Sequence, residues 1–116
     1  MTKRFRRELE SIKKRILTLG SLVEDLVHTA TKAVDQIDPE LAERIIAADH
    51  EVDMMEVEIE EECLKVLALH QPVAVDLRFI ISVVKINNEL ERIGDQVVNI
   101  GQRVRVIAKR PKPPFM

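Results

Sequence analysis

The sequence predicts an all-α fold, an elongated antiparallel three-helix bundle. Three observations predict it. Apolar residues recur at alternating spacings of four and three along three long segments, the pattern of helices packed at coiled-coil spacing. The 116-residue chain is 46% hydrophobic yet holds three Phe, no Trp and no Tyr, so its core is built from Leu, Ile, Val and Ala. Only Asp38-Pro39 and His70-Gln71-Pro72 interrupt the pattern, and strand-type alternation is nowhere evident. A chain of this length is one domain and can bury a modest core.

The first helix is expected from about Lys3 to Gln36. Phe5, Leu9, Ile12, Ile16, Leu19, Val23, Leu26, Ala30, Ala33 and Ile37 form its stripe without a miss. Gly20 lies inside it and lowers local helix propensity by about 1 kcal/mol relative to Ala. Asp38 can cap the next helix, Pro39 suits its first position, and Glu40 favours the dipole.

The second helix is expected to run to about Leu69. Its stripe is Leu41, Ile45, Ala48, Val52, Met55, Ile59, Cys63 and Val66. Pro72 ends it, because the residue before a proline is pushed out of the helical region.

The third helix starts between Val73 and Asp76, with Phe79, Val83, Ile86, Leu90, Ile93, Val97, Ile100, Val104 and Ile107 as its expected core stripe. Residues 1–110 then form the domain, and residues 111–116 read as a proline-rich tail or linker. Helices of about 30 to 38 residues span roughly 45–55 Å, and short connections make neighbours antiparallel. Apolar positions off the stripes, among them Leu22, Val27, Ile46, Met54, Val57, Leu67, Ile80, Val84 and Val98, predict a second contact surface.

Charge is uneven although the net is −2. Residues 3–15 hold seven bases against Glu8 and Glu10, and residues 38–62 hold eleven acids against Arg44 alone. No acid follows Asp95. Basic ends and an acidic middle can neutralise one another in a bundle, or simply be solvated. Overall acidity and the scarcity of aromatics, with Phe5 alone among the N-terminal bases, argue against nucleic-acid binding. Cys63 is the only cysteine, which excludes an internal disulfide and a thiolate metal site. No apolar run approaches the roughly 20 residues of a membrane span, so a cytoplasmic protein is expected.

Two ladders of oxygen ligands carry the chemistry. In residues 86–100, Asn88, Glu91 and Asn99 all fall within about 40° of Asp95, behind the expected core stripe. In the second helix, Asp49, Asp53, Glu56 and Glu60 fall within about 60°. Carboxylates four apart repel unless something cationic answers them. Side by side, Asp49, Asp53, Glu91 and Asp95 could hold a hard or borderline metal ion, with Glu56, Glu60, Asn88 and Asn99 as additional polar-face residues. Two solvated acidic faces are the competing reading. The Glu-x-x-His pattern of di-iron bundles is missing, which disfavours a ferritin-like oxidase. His28 with Lys32 offers a weak phosphotransfer spacing. His50 and His70 fit surface or half-buried positions. Gly94 and Gly101, seven apart, are either tolerated or admit another helix closely. Arg92 is a candidate ion-pair partner for an acid of the second helix. Asp76-Leu77-Arg78 reads as a turn-stabilising pair.

The run Lys85-Ile86-Asn87-Asn88-Glu89-Leu90-Glu91-Arg92-Ile93-Gly94-Asp95, followed by Val98-Asn99-Ile100, closely resembles the PhoU family of phosphate-signalling proteins. Gln71-Pro72-Val73-Ala74 with Asp76-Leu77-Arg78, Leu19-Gly20-Ser21-Leu22-Val23-Glu24, and Asp49-His50-Glu51-Val52-Asp53 resemble its other motifs, so the likeness spans essentially the whole chain. The resemblance implies one of two three-helix repeats, pairing into a six-helix arrangement, and hence self-association. It implies metal ions on the motifs Asp49/Asp53 and Glu91/Asp95, often iron, with Mn, Mg, Zn and Ca as alternatives. It implies a non-enzymatic protein without catalytic residues, a negative regulator of phosphate uptake and of phosphate-starvation signalling. Its implied partners are the ATPase subunit of the phosphate ABC transporter and the phosphate-sensing histidine kinase, with membrane contact only through partners. A metal-free helical adaptor is the alternative. Gln96 stands where the family commonly has His after the motif's Asp.

Overall fold

The structure, a computed structural model, describes residues 2–111. Three helices follow in order: α1 (Lys3–Gln36), α2 (Pro39–His70) and α3 (Ala74–Ala108). Each packs on both others in an up-down-up rod of 69 × 20 × 17 Å. The expected three-helix bundle is therefore the fold, while residues 112–116 of the expected tail lie outside the described residues. No described helix is long and apolar enough to cross a membrane.

The helix ends follow local chemistry. Thr2 caps α1 by accepting the Phe5 N–H at 3.1 Å. Asp38 caps α2 by accepting from Glu40 N at 2.9 Å and Leu41 N at 3.4 Å, with Pro39 in the first turn. At the end of α1, Asp38 N donates to the Ala33 carbonyl and Ile37 N to that of Val34, a Schellman closure. Ile37 takes the left-handed conformation this requires, φ 47°, and is exposed rather than part of the stripe. Gln71 (φ 44°) and Ala74 (φ 52°) bracket the α2–α3 connection in the same conformation.

The rest of the α1 stripe, Phe5 through Ala33, is buried as the spacing predicts. In α2 the buried line runs Val52, Glu56, Ile59, Cys63 and Val66, stepping four and three. Glu56 thus takes the core slot expected for Met55, which is only partly buried.

The expected α3 stripe needs correction. Ile86, Ile93, Ile100 and Ile107 are 48%, 38%, 38% and 46% exposed. The buried line is Ile80, Val83, Asn87, Gly94, Val97, Gly101 and Val104, with Leu90 packed beside it. Two glycines and an asparagine occupy inward slots, and at Gly101 α2 approaches too closely for a side chain to fit without a shift. A Cβ on Gly101 would lie 3.3 Å from the Ala42 carbonyl oxygen and 3.3 Å from Ile45 Cγ2. One on Gly94 would meet Val52 Cγ1 at 3.5 Å. The isoleucines are turned half outward. Of the off-stripe residues, Ile80 is core, Leu22, Leu67, Val84 and Val98 pack against the core, and Val27, Met54 and Val57 remain exposed.

Two expected ion pairs also differ. Arg92 reaches Glu89 on its own helix at 3.5 Å rather than an acid of α2. Asp76 pairs with Arg6 of α1 at 3.6 Å, joining two helices at the rod's end instead of stabilising its own turn.

Candidate metal centre

The register of α2 against α3 brings three carboxylates together. Asp49 and Asp53 stand one turn apart at the edge of the buried line of α2. Asp95 follows Gly94, so it emerges where α3 lies closest to that edge. Ligand oxygens of Asp49, Asp53 and Asp95 all lie within 4.8 Å of one another, the only such group among the described residues. Asp49 is half-buried, while Asp53 and Asp95 are exposed.

Glu91, the fourth expected ligand, lies one turn from Asp95, is exposed, and falls outside this group. Glu60, Asn88 and Asn99 are likewise exposed and outside it. Glu56 behaves differently from every other acid in the two ladders. It is 4% exposed, its Oε1 has no hydrogen-bond partner, and that oxygen would lie 3.9 Å from a Cβ on Gly94. Its charge assigns it to the polar face on the sequence alone, whereas its side chain is buried. The signal was there, since Val52, Glu56, Ile59 and Cys63 keep the alternating spacing that Met55 breaks.

The electrostatics are those of crowded negative charge. Burial, then the charges of Glu91, Asp53, Asp95 and Asp49, pushes the Glu56 carboxyl up to about 7. Burial, then Asp53 and Asp95, raises Asp49, with His50 acting the other way. Among the described residues no Lys or Arg forms an ion pair with Asp49, Asp53 or Asp95, and Arg92 is held by Glu89. Oxygen-only donors of this kind suit hard or borderline ions. Cys63 is no competitor, because it is fully buried and burial, with Glu62 and Glu60, pushes its thiol up to about 11.

Known proteins show the same arrangement of helices. A family profile described as PhoU domain matches residues 16–104. The chain belongs to the PhoU family. It is 40% identical over 105 residues to a phosphate-specific transport system accessory protein PhoU homolog of Aquifex aeolicus, covering 90% of this chain and 48% of that one. It is 45% identical over 91 residues to the PhoU accessory protein of Escherichia coli, covering 78% of this chain and 38% of the relative. The crystal structure of PhoU from Pseudomonas aeruginosa superposes with a TM-score of 0.89 at 38% identity, over 95% of this chain and 53% of the other. The phosphate transport system regulatory protein PhoU from Streptococcus pneumoniae gives 0.83 at 34% identity, over 96% of this chain and 53% of the other. The chain thus spans about half the length, or less, of these PhoU relatives.

Proposed function

We propose that this PhoU unit is a metal-binding regulatory module of phosphate homeostasis that works by docking and performs no catalysis. Two curated relatives are named accessory proteins of a phosphate-specific transport system, which supports a place beside that transporter. In this reading the module restrains phosphate uptake and starvation signalling from the cytoplasmic side. It meets the transporter's ATPase subunit and a phosphate-sensing histidine kinase.

The observation that carries the metal reading is the meeting of Asp49, Asp53 and Asp95, from two helices, within 4.8 Å. The unpartnered, buried Oε1 of Glu56 fits the same reading, since a nearby cation would offset the cost of a carboxylate held away from water. Asp49, Asp53 and Asp95 would hold the ion, with Glu91 one turn away as a further donor. When bound, the ion neutralises the acidic face and cross-links α2 to α3. Iron is the first candidate, followed by Mn, Mg, Zn and Ca. The half-exposed line Ile86, Ile93, Ile100 and Ile107 supports self-association, because a second three-helix unit would cover it.

Metal analysis of the purified protein, alongside Asp53→Ala/Asp95→Ala, tests the metal reading. Bound metal in the parent and loss of it in the variant are expected. Metal in neither, with a melting temperature indifferent to added iron, manganese or magnesium, leaves the metal-free adaptor reading in its place.

A further inference from the structure

One line of α2 faces away from the bundle and still keeps a packing rhythm. His50, Met54, Val57, Glu61, Leu64 and Ala68 step four, three, four, three and four. All lie within about 40° of His50 around the helix, nearly opposite the buried line through Val52, Ile59 and Val66. Every one is exposed, Met54 at 49%, Val57 at 53% and Leu64 at 56%. Single exposed aliphatics are ordinary, but a regular outward stripe is the seam of a helix that packs on a further helix. Neither α1 nor α3 takes that place, since both pack on the buried side of α2.

The seam is lined with unanswered negative charge. Glu51 and Glu58 flank it on one side, Asp53 and Glu60 on the other, and Glu61 stands in its middle. These acids are all exposed and make no ion pair among the described residues. Lys65 is the only Lys or Arg between His50 and Ala68. At the His50 end, a hollow of about 280 Å³ is lined by His50, Asp53, Met54, Val57 and Glu58. It combines thioether and methyl groups with two carboxylates, a lining that suits the aliphatic stem and cationic head of a Lys or Arg.

We propose that this face of α2 docks a basic amphipathic helix of a partner protein. The partner's aliphatic side chains lie along Met54, Val57 and Leu64, its lysines and arginines reach the flanking acids, and one cation meets Glu61. The seam from His50 to Ala68 spans about 27 Å, so the docking segment is about 18 residues long. A second copy of this chain does not match. Its own seam repeats the same acids, and the basic stretch of its α1 carries Leu17 as the one exposed large aliphatic before Val27. An anionic bilayer is repelled by the same acids. This seam gives the docking module its surface, a role that rests on the regulatory reading above, and it needs no metal.

The test uses the whole chain in chelator and a fluorescein-labelled peptide of about 18 Leu and Lys residues, its Leu at alternating spacings of four and three. Fluorescence anisotropy should show it binding at least about tenfold more tightly than a scrambled peptide of the same composition, and more weakly as salt rises. Met54→Ser/Val57→Ser/Leu64→Ser and Glu58→Lys/Glu61→Lys should each weaken binding about tenfold or more. Glu10→Lys/Asp25→Lys, the same charge change at exposed sites of α1, should alter it less than about twofold. Helical content and melting temperature of each variant provide the folding control. Equal binding of both peptides, an equal loss from the α1 variant, or no binding overturns the proposal. So does a Met54→Ser/Val57→Ser/Leu64→Ser variant that loses self-association while peptide binding stays, which assigns the face to a second copy. Working in chelator separates these outcomes from the metal analysis, which tests the regulatory module's metal on its own.

Discussion

The Asn87 amide of α3 donates to the main-chain carbonyl of Glu56 on α2 at 2.9 Å, and both residues are buried. One polar side chain thereby crosses the tightest helix pair of the bundle and grips the neighbouring backbone. On the same stretch of α2 the Glu56 carboxyl stays unpartnered. The core beside the candidate metal centre is therefore polar by placement: the Asn87 amide nitrogen is bonded, while Asn87 Oδ1 and Glu56 Oε1 are both buried without a partner.

Replacing Asn87 with Ala removes that grip and leaves a small void. Lost hydrogen bonding and packing should cost about 1–3 kcal/mol. Urea unfolding should show a lower midpoint with an unchanged slope.

Glu56 makes stability depend on pH in a defined direction. Its carboxyl sits near 7 in the folded protein against 4.5 ordinarily, so between those values the folded state holds the proton more tightly. Stability of chelator-treated protein should therefore fall as pH rises from about 5 to 8, by roughly 2 kcal/mol. Glu56→Gln should flatten that slope and melt higher than the parent at pH of about 8. Thermal melts at a series of pH values check both.

Metal and charge should pull Asp95 variants in opposite directions. Without metal, Asp95→Asn relieves repulsion among three close carboxylates and should raise stability by a few tenths to about 1 kcal/mol. With metal added, the parent should gain stability and the variant should gain little. Paired melts with and without chelator read the sign change.

The glycines predict a graded series. At Gly101 an added Cβ presses on the Ala42 backbone oxygen and Ile45, both at 3.3 Å, so Gly101→Ala should destabilise by about 1–3 kcal/mol. At Gly20 an added Cβ meets nothing within 4 Å, so Gly20→Ala should stabilise by up to about 1 kcal/mol. Gly94→Ala meets ordinary contacts and should fall between them. Denaturant midpoints give the order.

Ile93→Ser/Ile100→Ser tests the outward isoleucines. Their exposure of 38% each means little core is lost. The parent should show a mass above the monomer and a melting temperature that rises with concentration, and the variant neither. Light scattering and melts over a concentration range decide it.

Much of the fold was legible because helix boundaries and the α1 stripe rest on local signals. Asp38-Pro39, Pro72 and an unbroken four-and-three spacing act within a turn or two. The α3 stripe misled because burial there is set by the neighbour. Asn87, Gly94 and Gly101 look like outward or neutral residues until α2 is laid against them, and isoleucines look inward regardless of where the partner sits. The carboxylates were legible as ladders, and Asp49, Asp53 and Asp95 do meet. Which of the four would meet was not, because helix rotation decides it, and the same rotation buried Glu56 and left Glu91 outside.

Close approach at Gly101 and Gly94 and the grip of Asn87 fall at three successive levels of one helix, seven residues apart. Together they act as a vernier. Sliding α3 along α2 by one turn, about 5.4 Å, would drive side chains into the glycine slots and break the Asn87 bond. It would also carry Asp95 away from Asp49 and Asp53. The alignment of the three acids is thus inherited from the close-packed seam beside them between the same two helices. Loosening that seam should scatter the acids before it unfolds the rod.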